Sequence, residues 1–281
     1  MRDLSNENII HVKRGEIEYT QSRKLLEYKD EIEHCFTLKP LDFGDNEKAT
    51  QNPEVYGKQY ERLCKELKWD YNKIIRPYQT HTDVVKCVKE NTNIEFGIFP
   101  QNLKDVDGII TNKNDVVLAT ASADCILLLF YDPVKRVIAN THSGWQGTLK
   151  QISINTVKKM MKEYNSNPKD IICCIAPSIS KEMFEVDFEV YEKFYNKFKD
   201  LRSADEIFEK GKIKEGKQKY HIDTVLVNRV LLEDLGLKSE NILESKICTV
   251  KNSDIVHSFR VDKGNSGRNN AFIMLKDNNN L

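Results

Sequence analysis

Three short segments carry residues whose types and order could do chemistry together. They are Gln79-Thr80-His81, Ser122-Ala123-Asp124-Cys125 and Thr141-His142-Ser143-Gly144-Trp145-Gln146-Gly147. His81 lies 44 residues before Cys125, and His142 follows Cys125 by 17. Such wide spacing is unlike a structural zinc finger and suits a site assembled from strand ends. Two histidines and a cysteine leave a tetrahedral ion one open position, which catalytic zinc requires. An ion held there lowers the pKa of its water to ~7. The same trio also fits a thiolate nucleophile, with Cys125 attacking and His81 or His142 as its base. Residue types alone keep both readings open.

The plain alternatives carry weight. A cysteine between apolar strands is commonly core, and an isolated histidine is commonly just a satisfied polar residue. Histidine is scarce, with six in the chain. His142 stands apart because a glycine-punctuated turn follows it and leads into a helix. That turn exposes backbone N–H groups able to bind an anion, which makes Ser143 and Gly144 anion-site candidates; otherwise it is a tight turn packing Trp145. Asp124 neighbours Cys125, so along a straight strand it points to the opposite face. A buried carboxylate without a partner is costly. The chain is therefore expected to bend there, bringing Asp124 to the site as proton donor or ligand support. A strand-end carboxylate in solvent is the plain reading.

The elements that position these residues follow from apolar patterning. Segments 116–122 and 126–132 are β-rich and nearly continuously apolar, as buried strands are. Asp132-Pro133-Val134-Lys135 reads as a turn, with proline set for its second position. Residues 136–142 form the next strand. A helix fits 148–164, with Leu149, Ile152, Thr156, Met160 and Tyr164 on one stripe. Residues 171–177 read as another strand. Phe188, Tyr191, Tyr195 and Phe198 mark a second helix, and Asp223 to Gly236 a third with a good cap at each end. Tyr56, Tyr60, Leu63 and Leu67 mark an earlier one. Strands are expected at 247–250, 255–260 and 271–275. The charged, glycine-punctuated stretch 202–219 reads as an exposed excursion. Strands and helices interleave, but strands also run consecutively, so the expected fold class is α+β: layered mixed β-sheets flanked by helices, as one domain over residues 1–281.

Composition narrows the function classes. With 281 residues and 40% apolar content, the chain can bury a sizeable core. Lys+Arg and Asp+Glu are both 43, which favours neither nucleic acid nor an anionic membrane as partner. The N-terminal residues lack the apolar core of a signal peptide, and the longest apolar run, 126–131, is too short to span a bilayer. A cytoplasmic location is the resulting expectation. The seven cysteines are scattered and form no CxxC pair, unlike a disulfide framework.

Gln-x-His, Ala-Asp-Cys and His-x-Gly-Trp-x-Gly, in this order and spacing, resemble the YfiH/YlmD family, the laccase-domain proteins once called polyphenol oxidases. Asp107-Gly108-Ile109-Ile110-Thr111, Ala176-Pro177-Ser178-Ile179-Ser180 with Phe184-Glu185-Val186, Tyr220-His221-Ile222-Asp223, Cys248-Thr249, Ser258-Phe259-Arg260 and Gly267-Arg268 are similar to further family segments. The resemblance covers most of the chain. It implies a YfiH-like fold, zinc held by His81, Cys125 and His142, and phosphorolysis of adenosine, inosine, guanosine and 5′-methylthioadenosine, with adenosine deamination beside it. Purine nucleosides and phosphate are then the partners. A link to cell-wall precursor quality belongs to bacterial relatives.

Three positions depart from the family pattern. Thr82 stands where a glycine is common, Gln146 where an arginine is common, and Phe36-Thr37-Leu38-Lys39-Pro40 replaces a Phe-Thr-Arg start. Two anion-binding arginines are thus missing or moved, and Lys39, Arg260 and Arg268 are the candidates to compensate. A blue-copper centre takes two His and one Cys, which leaves four histidines, too few for a three-copper cluster. Copper in the trio is therefore expected to be adventitious. Two other readings compete: a metal-free Cys/His hydrolase or amidase, and a non-catalytic accessory protein of cell-wall synthesis or division.

Overall fold

The structure is a computed structural model and describes residues 2–89 and 96–277. Two mixed sheets stack face to face. The seven-stranded sheet runs in the order Ile9–Arg14, Ile17–Ser22, Ile32–Thr37, Asn269–Leu275, Val117–Ser122, Ile74–Arg76, Gly97–Ile98. The six-stranded sheet runs Ile242–Glu244, Ile172–Ile175, Ile126–Asp132, Val137–Ser143, Gly108–Thr111, Val85–Val88. Most neighbours are antiparallel, but Ile74–Arg76 runs parallel to Val117–Ser122 and to Gly97–Ile98, Val85–Val88 to Gly108–Thr111, and Ile172–Ile175 to Ile242–Glu244.

The period of two in each strand sorts side chains into layers. On Ile126–Asp132, Leu127, Leu129 and Tyr131 face the other sheet and join Leu118, Ile273 and Phe36. Ile126, Leu128 and Phe130 face outward and meet Ile154, Val157 and Met160 of the helix Ile152–Tyr164, with Val227 and Leu231 of the helix Thr224–Leu235. The outer face of the larger sheet does the same through Val117, Ala119 and Phe272 against Tyr60, Leu63 and Cys64 of the helix Pro53–Leu67. The result is four layers, helix–sheet–sheet–helix, in which both central sheets are covered on both faces. That burial explains the unbroken apolar runs. Each fully buried large side chain contributes roughly 1.5–3 kcal/mol.

The helix expected over 148–164 is broken. A short helix, Trp145–Leu149, ends at Lys150, and Gln151 takes a left-handed conformation with φ of 61° before Ile152–Tyr164 begins. The break lets the short helix stay beside the strand end while the longer one lies along the sheet. Asp223 caps Thr224–Leu235 by accepting from the Leu226 N–H, and Gly236 closes it at φ of 113°.

Two expected strands are not strands. Residues 247–256 wind through turns, with Asn252 accepting at its carbonyl from the Ile255 and Val256 N–H groups. Residues 259–262 form a short helix capped by Ser258. Ile247, Ile255 and Val256 are apolar because they plug the core between the sheets, and a plug needs burial without needing extension. The charged stretch 202–219 holds most of an exposed hairpin, Phe208–Lys214 with Lys217–Ile222, which pairs with Glu185–Val186 as a third small sheet.

Candidate metal centre

Cys125 sits where the chain crosses between the two sheets. Val117–Ser122 belongs to the larger sheet and Ile126–Asp132 to the smaller, so residues 123–125 must step from one layer to the other. Asp124 makes the step with φ of 82°. Its carboxylate then turns inward, accepting from the Thr249 hydroxyl and from the Arg260 N–H at 2.7 Å. The bend expected from sequence is present, and both carboxylate oxygens have partners.

The hairpin of Ile126–Asp132 with Val137–Ser143 brings His142 opposite Leu127 and Ser143 opposite Ile126. His142 therefore ends beside Cys125. His81 arrives on the loop after Ile74–Arg76, with φ of 62°. One ligand atom from each of His81, Cys125 and His142 lies within 4.8 Å of the other two. The Cys125 Sγ to His81 Nε2 distance is 3.9 Å, and the two imidazoles meet edge to face at 4.9 Å between centres. His142 is buried, Cys125 half-buried and His81 the most exposed. Bonds of roughly 2.0–2.3 Å at tetrahedral angles set donors about 3.3–3.6 Å apart, so the three side chains would draw slightly closer around an ion.

Asp107 is the residue that organises the trio. It is fully buried at the start of the strand Gly108–Thr111. The His142 Nδ1–H donates to its Oδ1 at 2.8 Å, which turns Nε2 toward Cys125. The same carboxylate accepts backbone N–H groups from Thr80, His81 and Thr82 at 3.2, 3.1 and 2.8 Å, and the Thr82 hydroxyl at 2.7 Å. One buried side chain thus fixes one histidine by its ring and the other by its loop, as outer-shell carboxylates do around metal ligands. Thr82 gains a use here that glycine could not serve. Gln79 anchors the same loop, with its amide accepting from and donating to the backbone of Ala121 at 2.8 and 3.0 Å.

The charges follow from these bonds. Burial alone pushes the Cys125 thiol up; hydrogen bonds with His142 and His81 outweigh it and bring the thiol down to about 6. Burial works against a proton on His142, yet Asp107 and Cys125 raise it to about 9. For Asp107, burial works upward, and the bonds from His142 and Thr82 bring it down to about 2. Gly144 is needed for fit, because a Cβ there would stand 2.5 Å from the His81 ring and 3.1 Å from the Cys125 sulfur.

The trio faces a cavity of about 480 Å³. Trp145, Phe184 and Phe259 give it apolar walls, and Arg76, Arg260 and Arg268 line it too. Lys39 does not reach it: its Nζ donates to the Ser253 carbonyl at 2.6 Å. The Ser143 hydroxyl is spent inside the fold on Thr148. Arg260 donates with both terminal nitrogens to the Glu185 carbonyl at 3.2 Å. Gln146 is exposed. Asp107 and Arg76 were not singled out from sequence. An aspartate before the short strand Gly108–Thr111, and an arginine ending Ile74–Arg76, were the available signals.

The sequence profile of the family described as multi-copper polyphenol oxidoreductase laccase matches residues 39–276. The chain belongs to this laccase-domain family. The purine nucleoside phosphorylase YlmD of Bacillus subtilis is 39% identical over 175 residues, which span 62% of this chain and 60% of that relative's length. The purine nucleoside phosphorylase YlmD of Staphylococcus aureus is 31% identical over 215 residues, 75% of this chain and 76% of its own. Among solved structures, YfiH of Bacillus licheniformis superposes with a TM-score of 0.80 at 28% identity, covering 92% of this chain and 96% of that one. YlmD of Geobacillus stearothermophilus shares the fold, with a TM-score of 0.78 at 21% identity over 96% of this chain and all of its own. The YfiH/YlmD-type fold of layered mixed sheets with helices is thus confirmed. No helix among the described residues is long and apolar enough to cross a membrane.

Proposed function

We propose that the chain is a cytoplasmic, zinc-dependent purine nucleoside phosphorylase, acting on adenosine, inosine, guanosine or 5′-methylthioadenosine, with adenosine deamination as a side activity. The observation that carries this reading is the His81–Cys125–His142 donor set, held ready by Asp107 on the wall of a cavity of nucleoside size. The names of the curated relatives support it.

Breaking an N-glycosidic bond builds positive charge on the sugar and negative charge on the leaving purine. His81 Nε2, Cys125 Sγ and His142 Nε2 would hold the ion, which supplies Lewis-acid polarisation when bound. Asp107 keeps the proton of His142 on Nδ1, so that Nε2 stays available. Trp145, Phe184 and Phe259 offer flat or apolar faces that exclude water around a base. The His-x-Glu and Pro-Cys-x-x-Cys signature of the cytidine deaminases is absent from the sequence, so deamination would run on a differently built site. Copper can also bind such ligands. Multi-copper chemistry lacks ligands, because the trio is the one group of three such donors among the described residues. His34, His221 and His257 bond elsewhere, to Ser22, Lys181 and Leu41.

The test is inosine or adenosine with and without phosphate, beside elemental analysis. With phosphate, free base and ribose-1-phosphate are expected. Without it, base release nearly stops while adenosine deamination persists. About one zinc per chain is expected, lost in Cys125→Ser and His142→Ala with the fold intact. Equal base release without phosphate makes the protein a hydrolase; no turnover at all favours the accessory reading.

One observation favours a second reading. Asp107, His142 and Cys125 form a carboxylate–imidazole–thiol line, and the thiol is already brought down to about 6. That is the arrangement of a thiolate nucleophile. Full activity in protein stripped of metal, abolished by alkylation of Cys125, would select it.

A further inference from the structure

Arg76 is the largest fully buried side chain among the described residues, at 1% exposure. It ends the strand Ile74–Arg76, and its guanidinium stacks 4.7 Å from the centre of the Phe99 ring. Nη1 donates to the Phe43 carbonyl and the Tyr60 hydroxyl, both at 2.8 Å, and Nη2 donates to the Gly44 carbonyl at 2.9 Å. All three acceptors are neutral. They use three of the five N–H donors an arginine has, and Nε is buried without a protein partner. A buried charge normally finds an opposite one, because desolvation is otherwise uncompensated. Arg76 has no carboxylate within ion-pair distance among the described residues, yet it lines the same cavity as the metal trio.

A second cation shares that wall. Arg268 gives Nη1 to Ser266 and Gly267 and places Nη2 at 3.5 Å from Asp45. Burial loosens its proton, and the charge of Arg76 adds to that against the pull of Asp45 and Cys125. Two guanidiniums on one wall, one of them without a carboxylate partner, leave an excess of positive charge there for an anion.

We propose that Arg76 and Arg268 form the oxyanion end of the cavity, where inorganic phosphate binds against Arg268 in the field of the buried Arg76 charge. Bidentate guanidinium donors suit phosphate oxygens better than an ammonium does. That the phosphate is a co-substrate rests on the phosphorylase reading; that an oxyanion binds rests on the two arginines alone.

The experiment titrates inorganic phosphate alone into the purified protein by calorimetry, without nucleoside. Wild type is expected to bind it. Arg76→Gln, which removes the buried charge, and Arg268→Gln should each weaken binding about 10- to 100-fold. In turnover assays the KM for phosphate rises accordingly and the KM for nucleoside moves far less. A merely structural arginine would lower the thermal stability of the free protein and leave phosphate affinity unchanged; that result overturns the proposal. If Arg76→Gln does not fold, Arg268→Gln decides alone, and unaltered phosphate affinity in it overturns the site. Binding of ribose 5-phosphate without binding of inorganic phosphate overturns the assignment to free phosphate. Phosphate binding that persists in a protein inert toward nucleosides supports the site and counts against the phosphorylase reading only.

Discussion

His34 and His142 are both buried within the paired sheets, at 2% and 4% exposure, and they are built for opposite charges. His34 lies in the strand Ile32–Thr37 of the seven-stranded sheet. Its Nε2 accepts the Ser22 N–H at 2.8 Å, a bond that exists only while that nitrogen is bare, and burial pushes its pKa down to about 3. His142, in the six-stranded sheet, is buried as deeply and moves the other way, because Asp107 and Cys125 stand at its two nitrogens. Depth sets the cost of charge in both places, and the partner decides its sign. The same contrast separates the sheets. Around His34 the larger sheet uses histidine as a neutral core group, while one end of the smaller sheet gathers a carboxylate, a thiol and two imidazoles.

Removing the partner is the strongest way to break this contrast. Asp107→Asn keeps the shape and loses the charge, so His142 should come to resemble His34. Metal affinity is expected to fall about 10- to 100-fold, measured by competition with a chelator. In metal-free protein, alkylation of Cys125 should have its midpoint near pH 6 in wild type, because the thiolate is the reacting form. In Asp107→Asn that midpoint should move upward. An unmoved midpoint would mean that the imidazoles lower the thiol without help from Asp107.

His34 sharpens the comparison from the other side. Its folded pKa is about 3 against the ordinary imidazole value of 6.5. Between these values the unfolded chain binds the proton and the native chain does not, so stability is fully present above about pH 6.5 and falls as pH drops toward 3. At pH 5 the loss is roughly 2 kcal/mol. His34→Gln keeps an acceptor for Ser22 without a titrating ring. Its stability between pH 7 and 5, read by urea unfolding, should show a flatter slope than wild type. Equal slopes would place the acid sensitivity elsewhere.

Much of this molecule was legible in the sequence where burial and period coincide. The strands Ile126–Asp132 and Val137–Ser143 and the helices Phe188–Phe198 and Thr224–Leu235 follow their patterns closely. Residues 247–250 and 255–260 misled because Ile247, Ile255 and Val256 are apolar for tertiary reasons while their backbone turns. The trio was legible because its residue types are rare and its segments end strands. Asp107 was not, since what marks it is the set of N–H groups that converge on it from a distant loop. Arg76 was hidden likewise: its neighbours Phe43, Gly44, Tyr60 and Phe99 come from three separate segments.

The smallest expected effect belongs to Asp124, and it decides between two roles. Its carboxylate spans the crossover, taking the Thr249 hydroxyl on one oxygen and the Arg260 N–H on the other. An asparagine can keep both contacts. Its oxygen accepts from the Arg260 N–H, and its amide donates to the Thr249 oxygen, whose hydroxyl is free to rotate. The cost is the difference between a charged and a neutral bond, about 1 kcal/mol. Asp124→Ala loses both contacts in a buried place and should cost about two to three times as much. If Asp124 only positions Cys125, nucleoside turnover in Asp124→Asn stays within about threefold of wild type, and the alanine variant loses more through a displaced Cys125. If the carboxyl gives a proton to the leaving purine, asparagine abolishes turnover although the protein remains folded and keeps its metal. Turnover in the asparagine variant, read beside its melting temperature and metal content, separates a positioning residue from an acid.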